Sequence, residues 1–228
     1  EFRAQFLNVY YQRYLRPLKH HLVANVESLT PLMAKLPRVS NALMNNGLAK
    51  SLLEKVAGYV DAPPLSVPTL TERAEEVMQT FDLAELQQLD AAQRDNYVLI
   101  VQDPFTSYYD AEVVTDFGRL VRALGKIPVL LPFKPNGKTL HVTGFLEKFA
   151  RTATDTAAFL NQVASLNMPM VGVDTPLVLC YRDEYKALGA ARGDFVVHTV
   201  HEWLATFPES TWQGGDVPSD GPVMALFA

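Results

Sequence analysis

Four short stretches hold most of the side chains able to do chemistry together. They are Asp103-Pro104-Phe105-Thr106-Ser107-Tyr108-Tyr109-Asp110, Pro132-Phe133-Lys134-Pro135-Asn136-Gly137-Lys138, Asp174-Thr175-Pro176 running on to Cys180-Tyr181-Arg182-Asp183-Glu184-Tyr185, and His198-Thr199 with His201 and Glu202 just beyond. Lys134 and Lys138 flank a Pro-Asn-Gly turn and could attract an anion, with His198 as a third contact. Two lysines beside a turn are more often simply solvated, and Asn-Gly is turn chemistry in its own right. His198 and His201 have only Glu202 for company, a poor donor set for zinc or another transition metal. Cys180, between Leu179 and Tyr181, reads as a small buried apolar residue rather than a nucleophile. One thiol cannot hold an iron–sulfur cluster, which takes about four. Asp110 is a candidate helix N-cap, as is Asp174 or Thr175. Arg182-Asp183-Glu184 reads as an exposed ion-pair face. No GxGxxG, GxxxxGK[ST] or GxSxG motif is present, so no catalytic, cofactor-binding or metal-ligating residue is assigned.

The elements that position these stretches change character along the chain. Residues 2–57 are helical in pattern: Phe2, Phe6, Val9, Tyr10, Tyr14, Leu18, Leu22 and Val26 recur mostly at three- and four-residue spacing. Pro17 should break that stripe near Arg16. Shorter helices are expected around 29–36, 39–46 and 48–56. Tyr10, Tyr11, Arg13, Tyr14, Arg16, Lys19, His20 and His21 interleave aromatic and basic residues, which in an acidic chain suits docking on protein before membrane or nucleic acid. Residues 58–70 form a linker held extended by Pro63, Pro64 and Pro68. A polar helix is predicted from Thr71 to about Leu89.

From Asn96 the period shifts to buried strands alternating with helices. Strands are predicted at 97–101, 127–131, 168–173, 195–198 and 223–227, and helices at 111–124, 142–166, 176–188 and 200–206. The pattern predicts an α/β fold: a small doubly wound, mostly parallel sheet of about five strands, with an N-terminal helical extension. In chain order the first four strands should lie 2-1-3-4, with 223–227 on one edge. Residues 1–70 then form a helical connector and Pro-rich linker, and residues 71–228 a Rossmann-like domain. The four stretches should converge at the carboxyl ends of the strands, where such sheets gather ligands.

With 228 residues, 48% apolar and 20% charged, the chain can bury a sizeable core. A net charge of −5 disfavours a nucleic-acid surface. No apolar run approaches the roughly 18 residues of a membrane span, and the polar start at Glu1-Phe2-Arg3 does not read as a signal peptide. One cysteine excludes an intrachain disulfide framework. The start without Met and the apolar ending at Val223–Ala228 are read as a piece cut from a longer polypeptide.

Residues 96–189 resemble one half of the cysteine-rich repeat domain of heterodisulfide reductases and iron–sulfur 2-hydroxy-acid oxidoreductases. Where that family has a first-loop cysteine, this chain has Asp103-Pro104-Phe105-Thr106-Ser107-Tyr108-Tyr109. Its CCG motif corresponds to Pro135-Asn136-Gly137, with only the glycine matching. Its last cysteine falls near Leu177, with Cys180 close but out of register. DPFTSYYDAEVV, VLLPFKPNGK, GVDTPLVLCYRDEY and the N-terminal QRYLRPLKHHLV are similar to one subgroup, the YdiJ-like fused FAD/iron–sulfur D-2-hydroxy-acid dehydrogenases of the D-lactate and D-2-hydroxyglutarate class.

The resemblance implies a bacterial, cytoplasmic parent with room for peripheral contact at the inner face of the membrane. It also implies FAD, 4Fe-4S clusters and an electron acceptor. The FAD domain, the ferredoxin-like domain and the second cysteine-rich half would be this region's partners in the same polypeptide. None of the family's cofactor ligands has a counterpart here, so the chain by itself is expected to be inactive and structural. Phe105, Pro135, Asn136, Gly137, Leu177 and Cys180 would form the edge of a vestigial cluster site, its space filled by Phe105, Phe133 and Leu177. Two other classes stay open from the residues alone: a binding module for a small anion or nucleotide through Lys134, Lys138 and His198, and a docking scaffold built on the aromatic helix 2–26.

Overall fold

Polar chain gives way at Tyr97 to five residues that alternate between two apolar faces, and the sheet is built around them. A computed structural model describes residues 2–47, 50, 51, 54, 55 and 63–212. Its sheet has five strands: β1 (Gln79–Thr80), β2 (Tyr97–Val101), β3 (Ile127–Leu130), β4 (Met170–Gly172) and β5 (Val197–Thr199). They lie in the order β1-β3-β2-β4-β5, and every pairing is parallel. Leu99 stands opposite Val129 on one side and Met170 on the other. The four strands expected at 97–101, 127–131, 168–173 and 195–198 thus take the predicted order. The strand expected at 223–227 lies outside the described residues.

Side chains alternate across the strands, so each face needs its own cover. Leu99, Val101 and Val129 pack under α11 (Leu146–Ala164) and α12 (Thr175–Arg182). Val98, Ile100 and Val171 pack under α5 (Leu70–Ala74), α9 (Ala111–Ala123) and α13 (Val200–Leu204), with Trp203 closing that side. From β2 the chain steps to β3 through α9, then returns past β2 to β4 through α11. Opposite directions with right-handed crossovers put those helices on opposite faces.

The predicted helix 71–89 is three elements. Helix α5 ends at Ala74, β1 joins the sheet edge beside β3, and α6 (Leu83–Gln88) starts afresh. Two contacts force the interruption. Val77 and Met78 turn inward against Gly118, where a Cβ would come within 2.6 Å of Met78 Cε. Asp82 then caps α6 by accepting from the amides of Ala84 and Glu85. A short α7 (Ala91–Arg94) leads into β2. The stretch after β2, expected as a loop, coils into α8 (Pro104–Tyr109) because Asp103 caps it and Pro104 fits its first turn.

The predicted helix 142–166 also divides. Helix α10 (Lys138–Val142) stops at Gly144, whose φ of +76° suits glycine, and α11 begins two residues later. The predicted helix 176–188 ends at Arg182 and continues as a 3-10 turn over Glu184–Arg192.

The connector packs on this framework from one side. It comprises α1 (Phe2–Tyr10), α2 (Leu18–Ala24), α3 (Val26–Met33) and α4 (Pro37–Asn45), with the break at 11–17 that Pro17 predicts. At Gly144 a Cβ would lie 2.9 Å from the Asn8 amide nitrogen, so α1 and this turn are in backbone contact. The Arg16 guanidinium donates to the carbonyls of Thr143 and Gly144 and lies 3.9 Å from the Phe145 ring centroid. Asn41 holds Leu65 by both backbone groups, at 2.8 and 2.9 Å, which ties down the described end of the linker. No described helix is long and apolar enough to cross a membrane.

Candidate functional site

The Pro135-Asn136-Gly137 turn at the carboxyl edge is held from four directions. Asn136 is 1% exposed. Its Nδ2 donates to the Leu177 carbonyl at 3.1 Å, while its Oδ1 accepts from the Lys138 amide at 3.2 Å. Its own carbonyl accepts from the Tyr185 hydroxyl at 2.8 Å, and the Pro135 carbonyl accepts from Thr156 Oγ1 at 2.6 Å. Gly137 has φ +83°, and a Cβ there would press within 2.9 Å of the Phe149 ring. Position 137 therefore needs glycine on two counts.

The fourth direction is the connector. Glu27, 4% exposed on α3, accepts from the Gly137 amide at 2.8 Å, the Thr139 amide at 3.3 Å and Thr139 Oγ1 at 3.1 Å. A carboxylate there satisfies the free amides that begin α10 and complements the positive end of the helix. Sequence reasoning missed Glu27, Thr139 and Thr156. It missed Glu27 because the partners are 110 and 112 residues apart and no local pattern links them.

The predicted edge residues divide. Asn136 and Leu177 are in direct contact, and Leu177 and Cys180 are buried with the same turn. Burial, and after it the Glu184 carboxylate, pushes the Cys180 thiol up, so it stays protonated. Phe105 does not fill the expected space: it is 41% exposed, and Phe133 meets Tyr108 edge-on at 5.2 Å. Asp103, 5% exposed, accepts from the amides of Phe105 and Thr106 at 2.8 Å each. Burial raises its carboxyl, and nearby Asp174 pushes the same way. Asp174 caps α12 through the Leu177 amide at 2.9 Å, as expected, whereas Asp110 caps α9 without a side-chain bond.

The three candidate anion contacts have separate surroundings. Lys134 Nζ sits 5.0 Å from the Phe159 ring centroid, and Lys138 pairs with Glu184. His198, on β5, lines a different cavity with Asp95, Tyr97 and Lys126, near the amino end of β2. Arg182 and Glu202 form a two-pronged ion pair, and Glu202 also closes the capping box of α13. His201 is exposed beside it. Among the described residues no three His, Cys, Asp or Glu side chains group as metal ligands.

Fold and edge together define a doubly wound α/β module whose Pro-Asn-Gly turn is tied down by its own side chains. The chain is similar to proteins named D-2-hydroxyglutarate dehydrogenase. It is 57% identical over 212 residues to that of Escherichia coli, covering 92% of this chain and 21% of the relative. For Pantoea ananatis the identity is 56%, covering 89% and 20%, and for Pseudomonas putida 37%, covering 90% and 20%. The chain thus spans about a fifth of the length of the curated relatives it matches. No protein-family model and no solved structure matches it.

Proposed function

We propose that the chain is the helical connector and the cysteine-depleted first half of the cysteine-rich region in a YdiJ-like dehydrogenase acting on a D-2-hydroxy acid, of the D-2-hydroxyglutarate or D-lactate class. The close match of almost the whole chain to a fifth of a much longer dehydrogenase carries this proposal. Its role there is structural. At the place of the family's CCG motif stand a turn, an amide and a glycine, bonded to Leu177, Tyr185, Thr156 and Glu27.

The donor set does not fit an iron–sulfur cluster, since the sequence holds one thiol and that thiol is buried and protonated. FAD and the 4Fe-4S clusters of the parent therefore belong to its other parts: an FAD domain, a ferredoxin-like domain and a second cysteine-rich half. Those domains and an electron acceptor are the partners, in a cytoplasmic setting. A covering neighbour is called for by the connector, where Phe2, Phe6, Tyr14, Leu15 and Leu18 are 53–98% exposed. Contiguous apolar surface of this kind marks an interface.

The test is to purify the chain and measure flavin, iron and dye reduction with D-2-hydroxyglutarate or D-lactate. All three should be absent. Stoichiometric flavin or iron, or turnover, would overturn the structural role. Of the contacts named for the anion-module alternative, His198 lines a different cavity from the turn that Lys134 and Lys138 flank.

A further inference from the structure

A cavity of about 390 Å³ lies between the connector and the carboxyl ends of β2 and β3, away from the Pro-Asn-Gly turn. It falls within the roughly 300–1,000 Å³ typical of small-molecule sites. Its walls include Lys35 just past α3, Gln102 at the end of β2, Ser107 and Tyr108 on α8, and Phe133 after β3. Ser107 is 1% exposed, and its hydroxyl has no hydrogen-bond partner among the described residues. Buried polar groups are rarely left so, because the lost hydration is not repaid. Gln102 is anchored by its Nε2 on the Leu131 carbonyl at 2.8 Å. Burial pushes the Tyr108 phenol up to about 12, which keeps it a neutral donor, and its ring joins Phe133 in an aromatic wall. Among the described residues of the lining Lys35 is the one that carries a charge, a single positive one.

We propose that this cavity binds a small monocarboxylate, with its carboxylate paired to Lys35 and hydrogen-bonded by Ser107 and its carbon skeleton against Tyr108 and Phe133. One ammonium matches one carboxylate. A dicarboxylate such as 2-hydroxyglutarate would bring a second charge with no cation to meet it. The site is therefore distinct from one built for the relatives' substrate, and it does not depend on the function proposed above.

The experiment uses the full-length parent protein and equilibrium dialysis with labelled butyrate and benzoate, with succinate as the dicarboxylate. Butyrate or benzoate should bind saturably, and the part of succinate binding that Lys35→Ala removes should be about tenfold weaker. Lys35→Ala and Ser107→Ala should each weaken monocarboxylate binding about tenfold, the scale of one hydrogen bond to a charged group. Val196→Ala, on the exposed flank of β5, should leave it unchanged. Ser107→Ala removes a hydroxyl that has no partner to lose, so its melting temperature should match wild type and a binding loss cannot come from unfolding. Absence of saturable binding would overturn the proposal. So would Lys35-dependent succinate binding as tight as that of butyrate, or both variants binding butyrate like wild type, which would place the ligand elsewhere in the parent.

Discussion

Replacing Glu27 by Ala leaves two buried amides without their acceptor, and the Thr139 hydroxyl with only the Ala24 carbonyl at 3.4 Å. The expected cost is roughly 2–4 kcal/mol, read as a lower urea midpoint with an unchanged slope. Glu27→Gln keeps one acceptor oxygen and should fall between; a wild-type midpoint for Ala would contradict the role given to this carboxylate. Cys180 is 0% exposed with its thiol pushed up by burial, so the native chain should resist alkylation at neutral pH and label only in denaturant. Rapid native labelling, read by mass spectrometry, would show the burial to be wrong. At this scale the sequence is only partly legible. Asn136 and Gly137 announce themselves as turn residues, and Asp174 sits where an N-cap belongs. Glu27 looks like any solvated acid of a first helical turn, because its partners are brought to it only by tertiary packing.

Helix α1 meets the framework at Gly144 through backbone, with Asn8 N and Ala4 O at 2.9 and 3.0 Å from where a Cβ would stand. Gly144→Ala adds both that clash and a strained positive φ, so a loss of roughly 2 kcal/mol or more is expected. Amide exchange should then rise in residues 2–10 and stay slow in 97–101; equal exchange in wild type and variant would contradict the contact. Helix α13 supplies a pH test. Arg182 first, then the Thr199 amide, hold the Glu202 carboxyl down at about 2. A depressed acid contributes fully above its usual range, so this stability should fade as pH drops from about 5 toward 2. Glu202 is 43% exposed at its side chain, which limits the effect to under about 1 kcal/mol. Glu202→Gln should flatten that part of the stability–pH curve. The four main strands were legible as continuous apolar runs separated by crossover-length helices. Strand β1 was not, because two exposed polar residues at an edge carry no periodic signal. The break at Gly144 was hidden for another reason: α1, far away in sequence, imposes it.

At the scale of the whole molecule, the exposed apolar surface of the described residues is concentrated on the connector. Leu15 is 98% exposed, Phe2 84%, Leu36 and Leu43 65% each, while among its described residues the sheet domain exposes no large apolar residue beyond 52%. Phe6, Tyr10 and Tyr14 stack successively at 5.6 and 4.5 Å between ring centroids, a ready-made face for another surface. The aromatic spacing showed this face in the sequence; only the structure shows that the described residues of the sheet domain leave it uncovered. On the function proposed above, with the chain spanning about a fifth of its relatives, the rest of a longer polypeptide is the expected cover. Hydrogen exchange on the full-length parent protein, followed by mass spectrometry over residues 2–14, tests that most directly. Protection approaching that of 97–101 is the predicted result; exchange at the rate of an exposed helix would contradict the account of this chain as a module seated against the rest of its parent.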